Sequence, residues 1–373
     1  MSRPPAILQV LPALVSGGVE RGTIEIAEAT AAAGMRAYVA SAGGPLVPQL
    51  EAVGATHVAL PLDTKSPLAI WRNAGALADL ARREEIAILH ARSRGPAWSA
   101  FIAARRTGAR FVTTWHGAYN ENVPGKRLYN SVMVRGDRVI AISRFIADHI
   151  LARHPDAAGR IRVILRGVDP RRFDPAAVPA SRILAQREAW GAAPGQRLVL
   201  LPGRMTRWKG QMTLVEALPR LPGVRAVLVG AGSASFAGDL RDRAAALGVA
   251  DRLVLAGHVD AMDVALLAAD VVVHASTDAE AFGRTVTEAQ SMGRPVIASD
   301  LGGPRETVEE GVTGWRVPPG DPAVLADALA RVLAMPEAER EAIGAAARAV
   351  VLRDLTTEAM QRKTLDVYRE LLQ

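Results

Sequence analysis

Two short stretches of this 373-residue chain hold side chains whose types and spacing could do chemistry. In the first, an apolar run from Leu198 to Leu201 is followed by Gly203 and Arg204, then by Lys209 and Gly210. Two cations flanked by glycines just after a buried strand make a place for phosphate, because ligands of open α/β sheets bind at the carboxyl ends of strands. Arg204 can fork onto two phosphate oxygens while Lys209 acts as a point charge. The bland alternative is a surface loop with ordinary basic residues.

The second stretch follows the apolar run Val271 to His274 and reads Asp278-Ala279-Glu280-Ala281-Phe282-Gly283-Arg284-Thr285-Val286-Thr287-Glu288. Glu280 falls in a loop, Gly283 near a helix start, and Glu288 about a turn and a half into that helix. At 1.5 Å rise per residue, Gly283 and Glu288 are separated by roughly 7 to 8 Å. With the loop added, the two carboxylates can bracket a ligand about as long as a diphosphate. Free amides at a helix start attract phosphate, and carboxylates accept hydrogen bonds from sugar hydroxyls. The chemistry suggested is a nucleotide sugar, with one acidic residue on each sugar and the pyrophosphate between. Taken singly, Glu280 is a neighbour of a helix cap and Glu288 a solvated carboxylate.

Other nucleotide motifs are incomplete or missing. The run Ala226 to Val229 with Gly230-Ala231-Gly232 begins like a dinucleotide fingerprint, but Ser235 holds the third glycine position and no acidic residue follows on a second strand about 20 residues later. We read Gly230 and Gly232 as a tight turn where backbone comes close to a ligand, and expect no redox cofactor. There is no G-x-x-x-x-G-K-[ST] loop, and no D-x-D pair beside the Glu280 motif to hold a metal. With no cysteine, disulfides, thiolate nucleophiles and Cys-based metal sites are excluded, and a reducing compartment is expected.

The elements that must position these residues follow from hydrophobic patterning. Strand-length apolar runs alternate with amphipathic segments: Ile7 to Leu11, Glu20 to Ala33 stopped by Gly34, Arg36 to Ser41, and again beyond residue 195. Such alternation predicts β-α-β units and parallel sheets. The proline-rich segment from Asp169 to Pro194 is expected to be a linker, and Thr357 to cap a last amphipathic helix whose inner face carries Met360, Thr364, Val367 and Leu371. A composition of 49% hydrophobic and 22% charged residues is that of a soluble globular protein. The net charge of +7 is concentrated before residue 180. It suggests an anionic partner such as phospholipid, acidic glycan or nucleic acid, unless it reflects only solvated arginine-rich helix faces. Six Phe, six Trp and four Tyr, with no aromatic-basic repeat, argue against nucleic acid. The segment Pro4 to Val15 is broken by Gln9 and Pro12, unlike the core of a signal peptide. No run reaches the ~18 apolar residues of a membrane span, so membrane contact would be peripheral.

Taken together, these motifs resemble the retaining glycosyltransferases of family 4. The resemblance rests on Gly203-Arg204 with Lys209-Gly210, on Glu280 to Glu288 followed by Ala289 and Gly293-Arg294-Pro295-Val296-Ile297-Ala298, and on Gly302-Gly303, Glu306 and Gly311 to Gly314. In the first half it rests on Gly17-Gly18-Val19-Glu20, Thr114-Trp115-His116-Gly117 and Ile142-Ser143, and it runs over nearly the whole chain. It implies the GT-B architecture: two Rossmann-like, doubly wound α/β domains facing across a cleft. The acceptor-side domain would be residues 1–175, with helix 356–373 packing back onto it, and the nucleotide-sugar domain residues 176–355.

By the same resemblance, Arg204 and Lys209 hold the donor diphosphate, Glu288 the ribose and Glu280 the transferred sugar. His116 lies beside the sugar's reacting face, Gly17 and Gly18 admit the phosphates, the main chain at Val259 meets the nucleobase, and Phe282, Gly283 and Arg284 complete the donor site. The catalytic set is then His116, Glu280, Arg204 and Lys209, with no metal and no cofactor beyond the donor, for which GDP-mannose is favoured over UDP- or ADP-sugars. Arg166, where the family most often has asparagine before Gly167, and the segment His90 to Trp98 narrow the likeness to lipopolysaccharide-core glycosyltransferases of alphaproteobacteria. That implies an anionic glycolipid acceptor met by Arg92 and Arg94, and a cytoplasmic protein peripheral to the inner face of the membrane. A sugar-nucleotide epimerase or phosphorylase on the same fold, and a non-catalytic protein binding anionic surfaces, remain the alternatives.

Overall fold

A computed structural model of the chain describes residues 3–15, 17–119 and 121–373. The chain divides into two compact units, Met1–Leu165 with Thr357–Gln373, and Arg166–Thr356. In the first unit, β1 (Ala6–Val10), β2 (Arg36–Ser41), β3 (Thr56–Ala59), β4 (Ile86–Ala91), β5 (Arg110–Trp115), β6 (Arg138–Ala141) and β7 (Ile161–Val163) form one sheet in the order 3-2-1-4-5-6-7. The connecting helices are α1 (Gly18–Ala32), α2 (Val47–Ala52), α3 (Pro67–Arg83), α4 (Arg94–Thr107), α5 (Lys126–Ser131) and α6 (Arg144–Leu151).

The second unit repeats the plan. After α7 (Ala180–Ala189) come β8 (Leu198–Pro202), β9 (Arg225–Val229), β10 (Leu253–Gly257), β11 (Val271–His274), β12 (Val296–Ser299) and β13 (Trp315–Val317), in the order 10-9-8-11-12-13. Its other helices are α8 (Gln211–Ala217), α9 (Ala234–Ala246), α10 (Met262–Ala268), α11 (Arg284–Ser291), α12 (Pro304–Thr307), α13 (Pro322–Ala334) and α14 (Glu337–Asp354), and α15 (Thr357–Leu372) returns to the first unit. All strand pairs in both sheets are parallel. Parallel pairs need helical crossovers that cover both faces, which is why β1 and β8 are buried along their whole length. Each chain starts a sheet in the middle and builds outward in one direction and then the other, so β1 lies beside β4 and β8 beside β11. The crevice for a ligand forms at the carboxyl ends of such neighbours.

Two local expectations change. Asp169 to Pro194 is not a free linker but part of the second unit, whose border falls after Leu165 and not after residue 175. Val168 bridges to Thr356, Ser291 Oγ donates to the carbonyl of Phe173 at 2.9 Å, and Arg187 donates to the carbonyls of Ala268 and Gln196. Prolines that broke the strand pattern here separate short packed pieces. Thr357 does not cap α15: it is the first helical residue, and its hydroxyl is buried without a hydrogen bond.

The helix α15 is fixed by its apolar face and by a buried polar contact. Met360, Leu365, Val367 and Tyr368 share a core with Ile7, Ile26, Ile88 and Val112. The His90 ring binds Tyr368 Oη through Nδ1 at 2.6 Å and Thr114 Oγ1 through Nε2 at 2.7 Å, and Glu370 accepts from Arg138 and from Arg162. Burial, assisted by the charge of Arg92, holds the His90 pKa well below its ordinary value of 6.5. The unfolded chain therefore takes up a proton below about pH 6.5 that the folded chain refuses, and stability falls as pH falls through that range by up to about 1.4 kcal/mol per pH unit from this residue. Denaturant titrations between pH 7.5 and 5 should show this slope, and His90→Gln should flatten it while lowering stability at pH 7.5.

Candidate active site

In the second unit β11 pairs with β8, Val271 opposite Val199 and Val272 opposite Leu200, so the loops that follow the two strands leave the sheet together. The amide of Thr277 donates to the carbonyl of Trp208 at 2.8 Å and ties one loop to the other. Lys209 Nζ, above the Trp208 ring at 4.6 Å from its centroid, thereby reaches Glu280 Oε1 across 71 residues of sequence. The same oxygen accepts from His274 Nε2 at 2.7 Å and from Ser276 Oγ at 2.6 Å. Burial alone would raise the pKa of Glu280; the hydrogen bond and field of His274, with the Lys209 ammonium, outweigh it and hold the carboxyl well below its usual range. Glu280 is therefore a fixed carboxylate at neutral pH.

The remaining donor-side residues take three different settings. Arg204 is exposed, and its side chain makes no hydrogen bond or ion pair among the described residues, while its carbonyl accepts from Gln211 Nε2 at 3.1 Å. It borders a cavity of about 500 Å³ with Thr206, Arg207, Gly232, Ser233 and Phe236. Gly283, at φ +83°, ends the loop and begins α11, where Arg284 Nε stands 3.5 Å from Glu288 Oε1 one turn on. The Phe282 side chain is buried in the unit. Val259 is half-buried two residues beyond β10, whose Gly257 carbonyl accepts from the Gly230 amide at 2.7 Å.

Gly230 and Gly232 also act within the chain. A Cβ on Gly230 would fall 2.1 Å from the carbonyl oxygen of Gly203, and one on Gly232 would fall 2.4 Å from Met205 Cβ. Their smallness lets the loop after β9 lie against the loop after β8, where the Met205 amide donates to Ala231. The close approach is of chain to chain, and it shapes the loop that carries Arg204. His274, Ser276 and Trp208 are the site residues that motif spacing missed. A histidine ending a strand, with serine two residues on, was the one available sign.

In the first unit, β5 ends at Trp115 and His116 opens the turn that follows. Tyr119 stacks on Trp115 with ring centroids 4.5 Å apart, and the Arg94 guanidinium lies 4.1 Å from the Tyr119 centroid. Arg94 Nη1 also donates to Asn130 Oδ1, whose amide donates to Glu121 Oε1, which is 3.3 Å from His154 Nε2. Half-buried His116 thus sits on a turn clamped at both ends. Gly17, at φ +128°, precedes Gly18 at the start of α1. The structure treats the two expected acceptor arginines differently. Arg94 is half-buried and partly engaged, whereas Arg92 is only 3% exposed with His90, Tyr368 and Glu25 as its electrostatic neighbours. Burial pushes the Arg92 pKa down to about 10. Buried just beyond the end of β4, Arg92 turns inward and is set aside as an acceptor contact.

Comparison with known proteins matches this geometry to a family. Residues 16–172 match the model described as Glycosyltransferase Family 4, and residues 183–350 the model described as Glycosyl transferases group 1. A glycosyltransferase from Rickettsia africae ESF-5 superposes with a TM-score of 0.92 at 35% identity over 100% of both chains. The chain belongs to the GT-B glycosyltransferases. Anabaena HepE in complex with UDP-glucose is another structure of similar fold, with a TM-score of 0.85, 25% identity and coverage of 98% of this chain and 99% of that one. D-inositol 3-phosphate glycosyltransferase of Xylanimonas cellulosilytica is 35% identical over 246 residues, 64% of this glycosyltransferase and 58% of the relative, so the match spans little more than half of that protein. Among the described residues no three His, Asp or Glu side chains gather as a metal site requires, and no helix is long and apolar enough to cross a membrane.

Glu280 is also held from outside its own loop. The Gly303 amide donates to the Glu280 carbonyl at 2.8 Å, and Gly302, at φ +66°, packs so closely that a Cβ would fall 2.4 Å from that carbonyl oxygen. Gly302→Ala should therefore lower stability by roughly 1–3 kcal/mol, the usual cost of overpacking, and displace the Glu280 loop. Denaturant unfolding and a crystal structure of the variant measure the two effects.

Proposed function

We propose that this glycosyltransferase moves a hexose from a nucleoside diphosphate sugar to an anionic glycolipid, with retention of anomeric configuration and without a metal. The observation that carries the reading is the meeting, at the β8–β11 crevice, of the partly buried pair Lys209–Glu280 with the unpaired guanidinium of Arg204 beside a cavity large enough for a nucleoside. Arg204 and Lys209 take the diphosphate, Glu280 the hydroxyls of the sugar and Glu288 those of the ribose. The amides near Gly283 add to the phosphate site, and Val259 meets the base.

Breaking the anomeric bond sends its electron pair to the diphosphate and leaves positive charge on the sugar ring. Cations already in place at the departing oxygen stabilise that change more than they stabilise the substrate. The acceptor oxygen then attacks on the face the diphosphate leaves. Its proton passes to a phosphate oxygen, so no side-chain nucleophile takes part. GDP-mannose, favoured by the sequence resemblance, and UDP-glucose, bound by the Anabaena neighbour, are the first donors to try. Arg94 is the acceptor-side cation, suited to a lipopolysaccharide-core or related anionic glycolipid at the cytoplasmic face of a membrane.

Calorimetry with a panel of UDP-, GDP- and ADP-sugars in EDTA, followed by donor hydrolysis and transfer assays, tests this directly. Arg204→Ala and Lys209→Ala should each lower turnover by about 100-fold or more while leaving the fold intact. Near-normal rates in both variants would remove the phosphate assignment, and a requirement for added metal would remove the metal-free mechanism.

A further inference from the structure

Every side-chain contact on Glu280 falls on one of its two oxygens. Oε1 accepts from Lys209, His274 and Ser276, whereas Oε2 has no hydrogen-bond partner among the described residues. The three donors are not alike. Lys209 reaches in on a flexible four-carbon stem from a short turn after β8, and it is also the cation that a diphosphate would draw to itself. His274 is the last residue of β11, paired to β12 opposite Ala298, and its side chain is 4% exposed. Ser276 is equally buried two residues on. A carboxylate only accepts, so His274 Nε2 carries the proton between them. The other ring nitrogen, Nδ1, is buried without a partner, so all the polar contacts of this ring are at Nε2, to Glu280 and, at 3.4 Å, to Ser276.

A buried carboxylate that loses its cation either turns away or takes up a proton. When Lys209 turns to a diphosphate, the Glu280 side chain still has two donors that cannot follow it. We propose that His274 is a positioning residue: with Ser276 it anchors Glu280 by Oε1, leaving Oε2 to accept from the hydroxyls of the transferred sugar once Lys209 has moved to the diphosphate. This rests on the nucleotide-sugar reading of the site. It adds that Lys209 and Glu280, paired in the free protein, part on donor binding, and that His274 takes over the hold on the carboxylate.

The test compares wild type, His274→Ala, His274→Gln, Glu280→Gln and the double variant Glu280→Gln/His274→Ala, using whichever donor of the panel binds and water as acceptor. His274→Ala should lower the hydrolytic turnover about tenfold or more, as loss of a hydrogen bond to a charged group does. Affinity for the nucleoside diphosphate lacking the sugar should stay as in wild type. His274→Gln, which keeps an N–H donor, should recover most of the loss, and His274→Ala should add nothing in the Glu280→Gln background. Equal losses in both backgrounds, unchanged turnover in His274→Ala, or loss of nucleoside diphosphate binding would overturn the proposal. If wild type binds no nucleotide sugar, the donor reading fails on its own. The anchor is then judged from crystal structures: Glu280 should keep its place in Lys209→Ala and shift in His274→Ala, and the opposite pair of results sinks it.

Discussion

The parallel pairing of β8 with β11 is the constraint on which this site depends. Were the strands of the second sheet laid down in chain order, β9 and β10 would lie between them and the two loops would start about 14 Å apart, at the spacing of hydrogen-bonded strands. Because the chain instead starts in the middle of the sheet and builds to both sides, β8 and β11 are neighbours and Lys209 meets Glu280. Helical crossovers through α8, α9 and α10 make that order accessible to a parallel sheet. The glycines that bring the loop after β9 against the loop after β8, and Gly302–Gly303 against Glu280, complete the packing without carrying a functional group themselves.

In this crevice Lys209 and Glu280 balance each other's charge. Lys209 lies against Glu280 where a lone carboxylate would be costly, and its ammonium helps to hold that carboxyl in the charged form. His274 and Ser276 add hydrogen bonds to the carboxylate that do not depend on the lysine. Arg204, exposed and unpaired, is left as the uncompensated cation at the edge of the cavity. A dianionic ligand suits that arrangement, since it can take Arg204 directly and share Lys209, with Glu280 left to His274 and Ser276.

The first unit uses the same topology differently. Its reversal point, between β1 and β4, presents Gly17, Gly18 and Arg94, and the next strand presents His116 on a turn held by stacking and by the chain Arg94–Asn130–Glu121–His154. Here rigidity comes from aromatic stacking and from that chain of hydrogen bonds. The helix α15 joins this unit through the contact of Tyr368 with His90, two residues before the buried Arg92. The last helix therefore rests on the polar interior of the unit to which the first residues of the chain belong.

Period and spacing in the sequence were enough for the alternation of strands and helices, the two α/β units, the loop position of Glu280 and the helical position of Glu288. Those features are local: they depend on which residues recur every two or every 3.6 positions and on what ends each run. Family likeness then placed the GT-B fold on the same motifs, and the solved structures bear it out. What only tertiary structure decided is the set of contacts between segments far apart in the chain. The pairing of Lys209 with Glu280, the hold of His274, the inward turn of Arg92, the use of Gly230 and Gly232 against another loop, and the packing of 169–194 all follow from strand order and close packing. Neither leaves a periodic trace in sequence, because a contact across 71 residues is set by the sheet that brings its ends together and not by the residues between them.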